Sequence, residues 1–260
     1  MTLTSPLKNI ELNCDMGESL GRWILADDES IMPHIDACNI AAGFHASDPT
    51  TIHKTVRLAK KDNIDIGAHP GFGDLIGFGR RTMLLSPEEV ADLITYQAGA
   101  VQAFCQRQGV KLSHIKPHGA LYFYLLSDQA ICTAAVEAIK AFNVPMYGLP
   151  NTIHETTCAS LGVPFVPEIF VDIEYSAEGN LIPPAKSKPI SSQECADRVK
   201  MVFENDCLPA QQPAQSTNTK SLNLKGRHFS VCLHSDFKTA VDNVKAVRQV
   251  IDNINSNKFH

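Results

Sequence analysis

Seven short apolar runs punctuate the chain, at residues 9–14, 35–42, 64–68, 112–116, 144–147, 163–171 and 229–233. Runs of this length, bounded by polar and glycine-containing turns, predict buried β-strands. Between them the period changes. Asp48 followed by Pro49 places a side-chain cap ahead of a proline at the first helical position, and Ile52, Val56 and Ala59 then share one helical face. Ser86-Pro87-Glu88-Glu89 has the spacing of a capping box, in which serine and glutamate satisfy each other's backbone donors; Val90, Leu93, Ile94, Val101 and Phe104 continue that helix. Ser191 and Glu194 repeat the spacing ahead of Val199, Val202 and Phe203. After Asp236, a last apolar stripe runs through Ala240, Val244, Val247, Ile251 and Ile254.

Strands alternating with helices imply parallel pairing through right-handed crossovers. Seven strands in this order suit either a (β/α) barrel or an open doubly wound sheet. No Gly-x-Gly-x-x-Gly follows the first strand, which argues against a dinucleotide-binding fold. Neither an internal repeat nor an obvious linker appears, so a single domain over residues 1–260 is expected, with the polar stretch 209–225 an excursion before the last strand. The composition is that of an ordinary globular chain, 44% hydrophobic and 20% charged. A net charge of −5 offers no basic footprint for nucleic acid or an anionic membrane. There is neither an apolar run long enough to span a bilayer nor a secretory-type leader, so a cytoplasmic protein is expected. The eight cysteines form no C-x-x-C pair and lie mostly in apolar stretches, as buried free thiols do.

The chemistry collects where the strands end. The first strand leads to Asn13, Asp15 and Glu18, the second to Asn39, His45 and Asp48, and the third to His69, followed in its loop by Arg80 and Arg81. Lys116 and His118 follow the fourth strand, Glu168 and Asp172 the sixth, and His234 and Asp236 the seventh. In parallel α/β folds these ends converge on one face. Each residue alone has an ordinary structural reading. A histidine at a strand end is more often structural, Asp48 and Asp236 suit helix N-caps, Arg80-Arg81 suits a solvated pair, and the glycines around Phe72 and Phe78 suit turns. Their convergence argues for a site. Asp15 or Glu18 suits a base towards water, and Asp15, His45 and His69 suit a divalent metal. Lys116 and Arg80 suit phosphate oxygens. The histidines lack the helical H-x-x-x-H spacing of zinc proteases, and no Walker loop is present.

Several of these stretches together resemble the LamB/YcsF family, the A subunit of prokaryotic 5-oxoprolinase. They are Leu12-Asn13-Cys14-Asp15-Met16-Gly17-Glu18, Asn39-Ile40-Ala41-Ala42-Gly43-Phe44-His45-Ala46, Ala68-His69-Pro70, Gly77-Phe78-Gly79-Arg80-Arg81, Lys116-Pro117-His118-Gly119-Ala120-Leu121-Tyr122 and Cys232-Leu233-His234. The resemblance implies a seven-stranded (β/α) barrel of the glycoside hydrolase/deacetylase type. It also implies ATP-dependent opening of 5-oxoproline to L-glutamate alongside partner subunits B and C. In that setting Asp15, Glu18, His45, His69 and His118 are the catalytic candidates. Asn13, Asn39, Arg80, Arg81, Lys116, Glu168, Asp172, His234 and Asp236 are candidates for holding substrate or phosphate. ATP is the expected co-substrate, with a divalent metal held by Asp15, His45 and His69 the alternative.

The chain departs from the family pattern at Ser47 and Ser235, where glycine is usual, at Phe123, where asparagine is usual, and at Ile173, where arginine is common. Serine replaces glycine without strain only where the backbone avoids torsions that favour glycine. Competing readings are a metal-dependent hydrolase such as a deacetylase of acylated sugars, and a non-catalytic subunit that binds a small acid.

Overall fold

The computed structural model describes residues 10–176, 181–182, 186–207 and 221–256. Among them, seven parallel strands close into a barrel in sequence order: β1 (Ile10–Met16), β2 (Ala37–Ala41), β3 (Asp65–His69), β4 (Leu112–Ile115), β5 (Met146–Gly148), β6 (Phe165–Phe170) and β7 (Phe229–His234), with β7 pairing back onto β1. The barrel is thus found and the open sheet is not. Asn9, expected to begin the first strand, lies outside the described residues. β1 runs on to Met16, and β3 and β7 run on to His69 and His234. Parallel partners extend that far, as the registers Asp15↔His234 and Ala41↔His69 show. Reactive residues expected just beyond strands therefore sit on rigid last positions.

Helices α1 (Asp28–Ile31), α2 (Pro49–Asp62), α3 (Pro87–Gln108), α4 (Gly119–Tyr124), α5 (Gln129–Lys140), α6 (Ile153–Leu161), α7 (Ser192–Asn205) and α8 (Ala240–Asn255) accompany the strands. The Asp48 cap forms as expected, its carboxylate accepting from the backbone N–H groups of Thr50 and Thr51. The Ser86–Glu89 capping box forms in full. At α7 only half of the expected box forms: Ser191 accepts from the Glu194 N–H, while the Glu194 carboxylate turns to Arg198 at 2.8 Å. Asp236 does not cap α8. Thr239 occupies that position, and Asp236 instead takes a hydrogen bond from Arg80 at 2.8 Å. In the excursion expected at residues 209–225, residues 209–220 lie outside the described set. Its described end is anchored by buried Leu222 and Leu224. Among the described residues no helix is long and apolar enough to cross a membrane. All eight cysteines are free, and all but Cys207 are buried.

Alternation along the strands sorts the side chains into two environments. Ile10, Leu12, Cys14 and Met16 of β1 join the apolar core between barrel and helices, while Asn13 reaches across the lumen to Glu168 and Ser230. Leu112 belongs to that core too. A register shift between Ile66 and Gly67, opposite β4, changes the phase so that both His114 and Lys116 turn inward. Gly67 is required there, because a Cβ would lie 2.1 Å from His114 Nε2. The barrel therefore has an apolar jacket and a polar lumen.

Candidate active site

The lumen floor is a hydrogen-bonded network. Asn39 Nδ2 donates to Asn13 Oδ1 at 2.8 Å and to Asp15 Oδ1 at 2.9 Å. Asn39 Oδ1 lies 2.7 Å from His114 Nε2. Asn13 Nδ2 donates to Ser230 Oγ at 2.7 Å and to Glu168 Oε2 at 3.2 Å. Lys116 Nζ sits among these groups, 2.7 Å from Asp15 Oδ1, 3.3 Å from Glu168 Oε2 and 2.8 Å from Cys232 Sγ. A fully buried lysine keeps its charge only with such partners. Burial would lower its pKa, but Asp15, Cys232 and Glu168 reverse that and lift it well above an ordinary lysine. Burial would likewise raise Asp15, yet His69 and Lys116 outweigh it and hold the carboxyl well below the usual range.

Above the floor stand four more of the expected residues. His69 Nδ1 lies 2.7 Å from the Lys116 carbonyl oxygen, and its Nε2 lies 3.3 Å from Asp15 Oδ2 and 3.0 Å from His118 Nδ1. His118 Nε2 is 2.8 Å from the Phe78 carbonyl. His45 stacks on His118 with ring centroids 3.7 Å apart, and its Nε2 lies 3.5 Å from Glu18 Oε1. Burial, reinforced by Asp15, pushes Glu18 well above the carboxylate range. Burial followed by neighbouring histidines pushes His45 and His118 well below ordinary histidine. Gly79, at φ +62°, allows this packing, because a Cβ would come within 2.7 Å of His45 Cβ. Ser47 stands at φ +77°, so the condition for replacing glycine without strain is not met there, and its buried hydroxyl finds no partner.

His234 completes the mouth. Asp172 accepts from the His234 backbone N–H at 2.7 Å and pairs with its Nδ1 at 3.0 Å. Burial works against charging this ring, but Asp172 wins and raises its pKa above ordinary histidine. A cavity of about 290 Å³ opens over these groups. Asp15, His69, Arg80, Lys116, His118 and His234 line its polar side, and Phe123, Phe170, Ile173 and Leu181 its apolar side. Two departures from the family pattern, Phe123 and Ile173, thus share one wall. Arg80 reaches the cavity rim through its pair with Asp236. Arg81 does not join the site: it pairs with Asp74 and its side chain is 65% exposed. His114 and Ser230 belong to the network although neither stands at a strand end. Their position two residues before Lys116 and Cys232, on the same strand face, is the signal that would have found them.

A model of the LamB/YcsF family matches residues 10–259. The chain belongs to the LamB/YcsF family. Over 252 residues, 96% of this LamB/YcsF chain and 98% of its relative, it is 38% identical to the lactam utilization protein lamB of Emericella nidulans. It is 37% identical to the A subunit of the 5-oxoprolinase of Vibrio cholerae, covering 94% of this chain and 98% of that one. The solved lactam utilization protein of Thermus thermophilus superimposes with a TM-score of 0.83 at 36% identity, covering 94% and 96% of the two chains.

Proposed function

We propose that this chain is the A subunit of a 5-oxoprolinase and opens the five-membered lactam of 5-oxoproline to L-glutamate at the expense of ATP, together with subunits B and C. The observation that carries the reading is the two-sided cavity. An ionised carboxylate, a charged lysine and paired histidines face an apolar wall suited to the methylene edge of a small ring. The names of full-length relatives, a lactam utilization protein and the A subunit of 5-oxoprolinase, support it.

A lactam carbonyl is a poor electrophile. Transfer of the γ-phosphoryl group of ATP to its oxygen, with ADP departing, turns that oxygen into part of a leaving group. One water adds to the ring carbon, and the C–N bond breaks as the nitrogen takes a proton. This leaves an acyl phosphate that a second water cleaves to carboxylate and inorganic phosphate. Asp15, kept ionised by Lys116 and His69, orients the attacking water. Arg80 steadies the phosphoryl oxygens from the rim, and Lys116 adds positive potential from below. His234 is the proton donor to nitrogen, since Asp172 favours its charged form. Glu18 and His45 do not line the cavity and take no part in these steps. The exposed Trp23, Ile24, Leu75, Ile76 and Leu84, on loops leaving β1 and β3, suit a contact with partner subunits.

The test is glutamate and ADP release from 5-oxoproline by this chain assembled with its B and C partners. Equal amounts of both products, absent without ATP, support the reading. An assembled complex that releases no glutamate overturns it.

A further inference from the structure

The tautomers of His69 and His118 are set by their outer hydrogen bonds. His69 Nδ1 faces the Lys116 carbonyl and His118 Nε2 faces the Phe78 carbonyl, so each ring must donate its N–H there. The two remaining nitrogens, His69 Nε2 and His118 Nδ1, then point lone pairs at each other across 3.0 Å. A positive centre has to lie between them. A proton on His69 Nε2 would serve His118 Nδ1 and Asp15 Oδ2, 3.3 Å away, but would leave Glu18 and His45 as they are. Glu18 Oε1 and both ring nitrogens of His45 are buried without any hydrogen-bond partner.

We propose that Glu18, His45, His69 and His118 together bind one divalent transition-metal ion of the zinc class. Their donor atoms lie within 4.8 Å of one another. Glu18 Oε1 is 3.5 Å from His45 Nε2 and 3.8 Å from His118 Nδ1. Ligands held about 2.0–2.2 Å from a tetrahedral zinc lie roughly 3.3–3.6 Å apart, so closing the shell requires the donors to draw together and the stacked rings of His45 and His118, 6° from parallel, to tilt towards a common point. Three imidazoles and one carboxylate favour zinc, cobalt or a similar ion over magnesium or calcium. Donation of the outer N–H of His69 and of His118 to backbone carbonyls is the arrangement that orients metal-binding imidazoles. The ion accounts for Glu18 Oε1 and for one ring nitrogen of His45, which a proton between His69 and His118 leaves unexplained. Because His69 and His118 also line the cavity, it would supply a Lewis acid beneath the substrate.

The site is tested without lactam, ATP or partners, so its outcome is separate from that of the lactam reading. Chelator-stripped protein is titrated with Zn²⁺ by calorimetry and with Co²⁺ by visible absorption. One equivalent should bind, with the intense visible bands of a four-coordinate cobalt site. Glu18→Gln and His45→Gln, each checked for folding by circular dichroism, should weaken binding by about 100-fold or more, beyond the 10- to 100-fold cost of outer-shell changes. His234→Gln, outside the cluster, should bind as the parent does. Folded wild-type protein that binds neither ion at micromolar concentration overturns the proposal. So does binding that survives in folded Glu18→Gln and His45→Gln but is lost in His234→Gln, since that would move the ion to the Asp15, Cys232 and His234 group.

Discussion

The floor and the mouth of this barrel are built from the same kinds of residues, yet they are finished differently. On the floor, Asn13, Asn39, Lys116 and Ser230 bind one another and the carboxylates of Asp15 and Glu168, and only Glu168 Oε1 is left over. A few ångströms up, Glu18 Oε1 and both nitrogens of His45 are equally buried and make no hydrogen bond, Glu18 Oε1 coming no nearer to His45 Nε2 than 3.5 Å. Burial of a polar atom without a partner costs about 1–3 kcal/mol, so a fold retains such atoms where something else uses them. The floor therefore positions, and the mouth receives.

Substitutions should separate the two regions. Lys116→Met removes the cation shared by Asp15 and Glu168, and should cost about 3–5 kcal/mol of stability in denaturant unfolding. His234→Gln should slow glutamate release by about 100-fold or more with the fold retained. In the proposed mechanism the charged form of His234 donates the proton, so the rate should fall as pH rises through its raised pKa. Asp172→Asn removes what raises that pKa, and should move this alkaline limb to lower pH. Asn39→Ala deprives Asn13, Asp15 and His114 of partners, and should cost about 2 kcal/mol. Ser47→Gly relieves a left-handed torsion and an unpaired hydroxyl, and should stabilise by about 1 kcal/mol in thermal unfolding. The mouth substitution is the smallest: Glu18→Gln should change the stability of metal-free protein by less than about 0.5 kcal/mol, because Oε1 has no bond to lose. A loss as large as that of Asn39→Ala would erase the contrast between the regions.

Much of this architecture is legible in the sequence. Strand runs with capped helices between them specify the barrel once β1 and β7 are allowed to pair, and the strand-end residues Asp15, His69 and His234 fall where parallel geometry puts them. Less legible is the lumen chemistry. His114 and Ser230 lie inside apolar-looking strands rather than at their ends, with only the two-residue offset from Lys116 and Cys232 to mark them, and the register shift opposite β4 cannot be read from spacing. Local pattern also misplaces Asp236, whose partner Arg80 is distant in sequence. Arg80 and Arg81 look equivalent in the chain, yet one reaches the cavity and the other pairs with Asp74 at the surface, a difference set by tertiary packing. Of the largest helices left unread, α5 begins at Asp128 without the flanking proline that made α2 conspicuous, whereas α6 begins at Thr152 with Glu155 at the capping-box spacing, although that carboxylate accepts from the Asn151 N–H at 2.8 Å instead.

The central claim is that Asp15, held ionised by the floor, acts on a lactam at the mouth. Its most direct test is ATP-dependent glutamate release from 5-oxoproline by complexes assembled with wild-type chain or with Asp15→Asn, at matched amounts of folded complex. Release from the wild type that drops at least about 100-fold in the variant is the predicted result. Equal release from both, or none from a fully assembled wild-type complex, would contradict it.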